Sequence, residues 1–288
     1  MTKIRIGTRK SKLAMAQSKL VADAIKAHWP DVEIELVPMT TTGDRLPGPL
    51  DKMGGKGLFV KELDAALYER RTDLSVHSYK DVPIEVDPNI PILAVGRRDY
   101  TEDVLVLPKN GIFDTSKPIG TASVRRALQI KLLYPEIETK HIRGNIFTRL
   151  DKLETGEYGA LILARAGLMR MGLNDRVHHI FTPDEMIPAS CQGVLAVQGR
   201  KDFDKKYLKG FHCEESWFLC QVERSFIRTL DGGCSSPCCC HAAREQDMIR
   251  LRALYSRDNK TIVTKTALSE PELAIETAIR LAENIAKA

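Results

Sequence analysis

Lys3-Ile4-Arg5-Ile6-Gly7-Thr8-Arg9-Lys10-Ser11 is the stretch from which the fold is read, and Ile119-Gly120-Thr121-Ala122-Ser123-Val124-Arg125-Arg126 repeats its design. In the first copy Ile4 and Ile6 alternate with Lys3 and Arg5, the period of two that predicts a strand with one apolar face. Gly7-Thr8-Arg9-Lys10 then leads to Ser11, a good N-cap for a helix carrying Leu13, Leu20, Ala24 and their neighbours. That helix is expected to stop near Trp29-Pro30, because the residue before a proline avoids the α region. In the second copy the same Ile-Gly-Thr string again precedes a helix, starting near Ser123, and basic residues enter both helices. Two strand–Gly-Thr–helix units predict two similar α/β lobes.

Working outward, Val32, Ile34 and Leu36 alternate with Glu33 and Glu35 as a second strand. Leu58 to Arg70 reads as a helix with Phe59, Leu63 and Leu67 on one face, and Leu74 and Val76 as a short strand ending at His77-Ser78. A turn-rich stretch from Pro83 to Pro91 separates this block from the next, where Val104 to Leu107 reads as a strand. The C-terminal part has a different character. Arg250 to Leu254 and Thr261 to Thr264 read as antiparallel strands around Asp258-Asn259. Ser269 with Glu272 has the capping-box pattern, opening a helix that turns Leu273, Ala278, Leu281 and Ile285 towards a core. A small α+β domain is expected there.

Bulk properties narrow the function classes. The 288 residues hold 43 basic and 38 acidic side chains, a formal balance of +5, with 6% aromatics. That is no basic-aromatic platform for nucleic acid. No apolar run approaches the roughly 20 residues of a membrane span, and the N-terminal stretch shows no signal-peptide segment, so a cytoplasmic protein is expected. Seven cysteines, an odd number without a secretion signal, argue against a disulfide framework.

Several stretches carry chemistry. Helix N-termini attract anions through free N–H groups and the macrodipole, and two of them here carry extra cations: Arg9-Lys10-Ser11 and Ser123-Val124-Arg125-Arg126. Arg143-Gly144-Asn145, Arg149, Arg165 and Arg170 follow or flank other strand-like segments. Arginine forks match carboxylates bidentately, so this set suits a polycarboxylate ligand, against the plainer reading of solvated helix surfaces. Gly54-Gly55-Lys56-Gly57-Leu58-Phe59 lacks the Walker spacing and reads as a lid loop or a simple turn. In His77-Ser78-Tyr79-Lys80-Asp81-Val82-Pro83, Asp81 sits past a strand end, where ligands gather in open α/β sheets; it either steadies a cation or caps the turn before Pro83. Leu230-Asp231-Gly232-Gly233-Cys234 sets a thiol in a tight loop open to covalent attachment. Cys238-Cys239-Cys240-His241 lacks the spaced pairs of structural zinc sites and reads as buried strand, so no metal is expected.

Taken in order, these runs resemble the porphobilinogen deaminase family over nearly the whole chain. The resemblance rests on Ile6 to Ser11, Gly54 to Leu63, Val76 to Pro83, Thr121 to Arg126, Ile142 to Asn145, Leu163 to Leu168 and Leu230 to Cys234. It implies an α/β fold of two type II periplasmic-binding-protein-like lobes around a cleft plus a small C-terminal α+β domain. The implied divisions are 1–95 with 189–211, then 96–188, then 212–288. It further implies a dipyrromethane cofactor thioether-linked to Cys234, on which four porphobilinogen units are joined head to tail with loss of ammonia, and a monomeric enzyme. Loss of ammonia leaves an azafulvenium cation, and Asp81 matches the family's catalytic aspartate. Arg9, Ser11, Lys80, Thr121, Ser123, Arg125, Arg126, Arg143, Gly144, Asn145, Arg149, Arg170 and Gln192 match positions that meet the carboxylates of cofactor and chain. Lys52, Lys56 and Phe59 match the loop beside them. Ala122 departs from a frequent serine and Gln198 from a frequent glutamate. The alternative from another class is a two-lobed small-anion binding protein, which would need neither Cys234 nor Asp81.

Overall fold

The computed structural model describes residues 2–45, 60–230 and 237–288. In chain order the elements are β1 (Lys3–Arg9), α1 (Lys12–His28), β2 (Glu33–Met39), α2 (Thr42–Arg45), α3 (Lys61–Tyr68), β3 (Leu74–Ser78), β4 (Ile92–Val95) and β5 (Asp103–Val106). There follow β6 (Ile119–Gly120), α4 (Val124–Leu133), β7 (Thr139–Lys140), α5 (Ile146–Glu154), β8 (Ala160–Ala164), α6 (Arg165–Arg170), β9 (His179–Ile180) and β10 (Leu195–Gly199). The last are α7 (Glu214–Thr229), β11 (Cys238–Glu245), β12 (Met248–Tyr255), β13 (Val263–Ser269) and α8 (Ala274–Ala286). No helix among the described residues is long and apolar enough to cross a membrane.

The chain divides into two compact units, Met1–Asp99 with Val194–Phe218, and Tyr100–Gly193 with Leu219–Ala288. The first unit holds a five-stranded sheet of order β2-β1-β3-β10-β4, and the second one of order β7-β6-β8-β5-β9. The two orders are the same. In each, the fourth strand (β10 or β5) is antiparallel to both neighbours, and it is the first strand the chain makes after crossing from the other sheet. This is the type II binding-protein lobe, present twice.

Burial explains why these segments hold. In the first unit, Ile4 and Ile6 of β1, Leu74 and Val76 of β3 and Val197 of β10 pack against Val21, Ala22 and Ile25 of α1. In the second, alternate residues of one strand enter different cores. Val104 and Val106 join Leu161 and Leu163 under α5 and α6, while Leu105 and Leu107 join Ala160 and Ile162 under α4. A sheet buried on both faces needs such unbroken apolar runs, and each large side chain removed from water contributes about 1.5–3 kcal/mol. Gly120 is required by packing, because a Cβ there would lie 2.6 Å from the Leu161 side chain. The third sheet, β11-β12-β13, is antiparallel throughout, with α8 packed on β12 and β13.

Some local expectations are corrected. On α1 the buried face is Gln17, Ser18, Val21, Ala22 and Ile25, whereas Leu20 is 47% exposed. The Ser269–Glu272 capping box does not form. Pro271 has no N–H and starts a 3-10 turn over Pro271–Leu273. The Ser269 hydroxyl instead donates to the Glu270 carbonyl and meets the Thr277 hydroxyl at 2.9 Å. α8 accordingly begins at Ala274, which is buried, while Leu273 is 49% exposed.

Candidate functional site

In the second unit, β6 runs parallel to β7 and β8, and antiparallel β5 sets Asp103 opposite Ala164. The carboxyl ends of β6 and β8 and the start of β5 therefore share one end of the sheet, the end where open α/β sheets bind ligands. Thr121 follows β6 and accepts the Ser123 N–H on its hydroxyl at 3.2 Å. Ser123 caps α4 by accepting from the Arg126 N–H at 3.4 Å. Arg125 and Arg126, in the first turn after Val124, are buried at this sheet end.

Both guanidinium groups grip one carboxylate that the sequence analysis did not single out. Arg125 Nη2 donates to Asp103 Oδ2 at 2.7 Å and Arg126 Nη2 to Asp103 Oδ1 at 2.7 Å. Gln192 Nε2 donates to the same Oδ1 at 2.8 Å and to the Thr101 carbonyl at 2.7 Å. Asp103 is fully buried. Its one available signal was a charged residue at the head of the apolar run Val104-Leu105-Val106. Arg125 Nη1 donates to the Ile187 carbonyl and Arg126 Nη1 to that of Ile162. Two guanidinium groups against one carboxylate leave one positive charge in excess, and Arg126 Nε is buried with no hydrogen-bond partner. That excess, beside a capped helix N-terminus, suits a carboxylate-bearing ligand. The other predicted residues of this unit have partners of their own. Arg143 is half-buried after Ile142; Gly144 has φ 115, and Asn145 caps α5 by accepting from the Thr148 N–H. Arg149 Nε donates to the Gly144 carbonyl at 2.8 Å, and Arg170 Nη2 to the Gly193 carbonyl at 2.7 Å. Arg165 is taken by Glu102 at 3.0 Å and lies over the Tyr100 ring.

In the first unit, Arg9 ends β1 and Ser11 caps α1 by accepting from the Ala14 N–H at 3.2 Å. β3 ends at Ser78, whose hydroxyl accepts from Gln17 Nε2 of α1 at 3.0 Å. A 3-10 turn over Tyr79–Asp81 follows, half-burying Lys80 and exposing Asp81. The turn is closed by backbone, Val82 N–H to the Tyr79 carbonyl, and no side-chain cap serves it. Behind Asp81, His77 is buried; burial and the nearby Arg9 charge hold its imidazole down at about 4, against a hydrogen bond with Gln198 that favours the proton.

Lys52, Lys56, Phe59 and Cys234, the residue expected to carry the cofactor, lie outside the described residues. Cys238, Cys239 and Cys240 are buried on β11, and burial pushes the Cys239 thiol up to about 12.

Fold and strand ends together define an α/β protein of the type II binding-protein architecture with a cationic sheet end. Comparison with known proteins narrows this. Residues 4–208 match the family described as porphobilinogen deaminase, dipyromethane cofactor binding domain, and residues 217–287 match porphobilinogen deaminase, C-terminal domain. The chain belongs to the porphobilinogen deaminase family. It is 49% identical to the porphobilinogen deaminase of Alkaliphilus oremlandii, covering 97% of this chain and 95% of that one. It is 51% identical to that of Acetivibrio thermocellus, covering 92% of each. Among solved structures, the methionine binding protein MetQ is similar at 11% identity over 75% of this chain and 92% of that one, with a TM-score of 0.47.

Proposed function

We propose that this chain is an enzyme that joins four porphobilinogen molecules head to tail, releasing ammonia at each addition, and hydrolyses off the linear hydroxymethylbilane. The observation that carries the reading is the Arg125–Arg126 pair sharing one buried carboxylate, in a chain whose family holds a dipyrromethane cofactor. The excess charge and the orphaned Arg126 Nε fit that group's carboxylates. When bound through a thioether to Cys234, the dipyrromethane supplies the free pyrrole α-carbon to which the first unit is joined.

Thr121, Ser123, Arg125, Arg126, Arg143, Gly144, Asn145, Arg149, Arg170 and Gln192, with Arg9, Ser11 and Lys80, hold carboxylates of cofactor and chain. Charge-assisted bonds of this kind contribute about 1.5–3 kcal/mol each. At each addition the aminomethyl C–N bond breaks, ammonia leaves with the electron pair, and a cation remains on the substrate. A dipyrromethane held by these residues would supply the carbon nucleophile for that cation and release the proton displaced from its α-carbon. Asp81 is exposed in the 3-10 turn that follows β3. Its carboxylate accepts pyrrole N–H bonds and offsets the positive charge as it develops. Lys52, Lys56 and Phe59 are assigned to the same chemistry on the family pattern alone. The same reading carries three domains (1–95 with 189–211, 96–188, 212–288), a monomer in the cytoplasm, and no nucleic-acid partner.

Asp81→Asn tests it, since Asn is nearly isosteric and removes only charge and proton-accepting capacity. Intact mass of the denatured variant is expected to show the dipyrromethane adduct, as for the parent, while ammonia release slows about 10²–10³-fold. A folded variant at parental rate removes Asp81 from catalysis. A parent chain of bare mass that releases no ammonia overturns the enzyme in favour of an anion-binding protein.

A further inference from the structure

Cys191, Cys220 and Glu223 meet inside the second unit, although no spacing in the sequence marks them. Cys191 comes from the turn before Gln192, and Cys220 and Glu223 are (i, i+3) neighbours on α7. Their two Sγ atoms and a carboxylate oxygen all lie within 4.8 Å of one another. The three residues are 1%, 0% and 0% exposed. Cys191 also occupies φ 61, where a side chain bearing a Cβ is uncommon and glycine is free. A thiol is thus kept where the backbone disfavours one.

The carboxylate is already aimed. Glu223 Oε2 accepts the Cys191 N–H at 2.5 Å and Oε1 accepts the Ala242 N–H at 2.8 Å. Ligating carboxylates are commonly oriented by such outer hydrogen bonds. The Cys191 thiol donates to the Cys220 carbonyl, with 3.9 Å between the heavy atoms.

We propose that Cys191, Cys220 and Glu223 form a binding site for one divalent thiophilic cation of the zinc type. Thiolate and carboxylate are ordinary zinc ligands, and three protein donors leave one tetrahedral position for water. Binding displaces two thiol protons and changes no oxidation state. The ion would tie the turn at Cys191 to α7, and the next residue, Gln192, holds Asp103 of the arginine cluster. The proposal is independent of the reaction assigned above.

The full-length protein, stripped with a chelator, is titrated with zinc against a colorimetric competitor, and with cadmium, whose thiolate charge-transfer absorbance reports sulfur ligands. One equivalent is expected, with affinity falling about a hundred-fold per unit drop in pH because two protons are displaced. Zinc is expected to raise the thermal midpoint of the parent and leave that of Cys220→Ala unmoved. Cys191→Gly, which frees the positive φ and so serves if Cys220→Ala folds poorly, is also expected to lose the site. Cys213→Ser is expected to keep it. A folded parent that takes up no zinc or cadmium, or variants that bind as the parent does, would overturn the site.

Discussion

Gln198 shows how one departure from a family pattern acquires a physical meaning. Its Nε2 donates to the Ile90 carbonyl at 2.9 Å, so its Oε1 is left to accept from His77 Nε2 at 2.9 Å. The amide therefore fixes a neutral imidazole with its proton on Nε2. On the same amide lies Asp64, whose carboxyl burial raises to about 6 despite the Gln198 hydrogen bond. The two groups act on stability with opposite sign. His77 falls from 6.5 to about 4 in the folded protein. Its contribution is full above the unfolded value and is lost as pH falls through that window, about 3 kcal/mol in all. Asp64 contributes below its unfolded value of 3.8, and that contribution is lost as pH rises through about 6. Because Asp64 is only half-buried, its share is smaller than its shift implies. Asp64→Asn is expected to leave His77 unopposed, so stability falls more steeply on acidification from about pH 7 to about pH 4.5, read from urea midpoints. Parallel pH profiles for parent and variant would refute the pairing.

Elements are where sequence patterns are most directly enforced. α1, α4 and α5 each begin on a polar side chain that accepts a backbone N–H three residues on, from Ser11, Ser123 and Asn145. Two of these caps lie in the repeated strand–Gly-Thr–helix design, which is why the repeat was legible: the strand, the Gly-Thr string and the cap are all encoded within about ten residues. Ser269 failed as a cap because a proline two residues later altered the turn, a local effect the pattern itself carries. α5 supplies the test. Gly144 has φ 115, and a Cβ there would stand 2.7 Å from the Thr148 side chain of the first turn. Gly144→Ala is expected to cost about 1–3 kcal/mol through backbone strain, with further loss from the contact. Gly111→Ala, at φ 71 with nothing within 4 Å, is expected to cost less. Equal thermal shifts for the two would show that Thr148 yields freely.

For the molecule as a whole, the decisive feature is that β10 lies between β3 and β4. Without residues 194–218 the first sheet has no strand to join β4 to β3, and its core lacks Val197 and Leu208. A chain of residues 1–99 alone is expected to give no cooperative urea transition. Joining 1–99 to 194–218 through a short flexible linker is expected to restore one, with a slope rising with the surface buried. A cooperative transition in 1–99 alone would show that β10 is dispensable to the unit.

The sequence by itself determined the strands and helices, the twice-used helix entry, the cations at the sheet end, and through its motifs the family. These depend on periodicity and capping over short spans, where chain neighbours dominate. Only tertiary structure decided that Arg125 and Arg126 close on Asp103, 22 and 23 residues away. The same holds for Cys191 meeting Cys220 across 29 residues, and for His77 facing Gln198 across 121. Each of those pairings is set by how buried sheets and helices pack, and packing joins side chains whose separation along the chain carries no period to read.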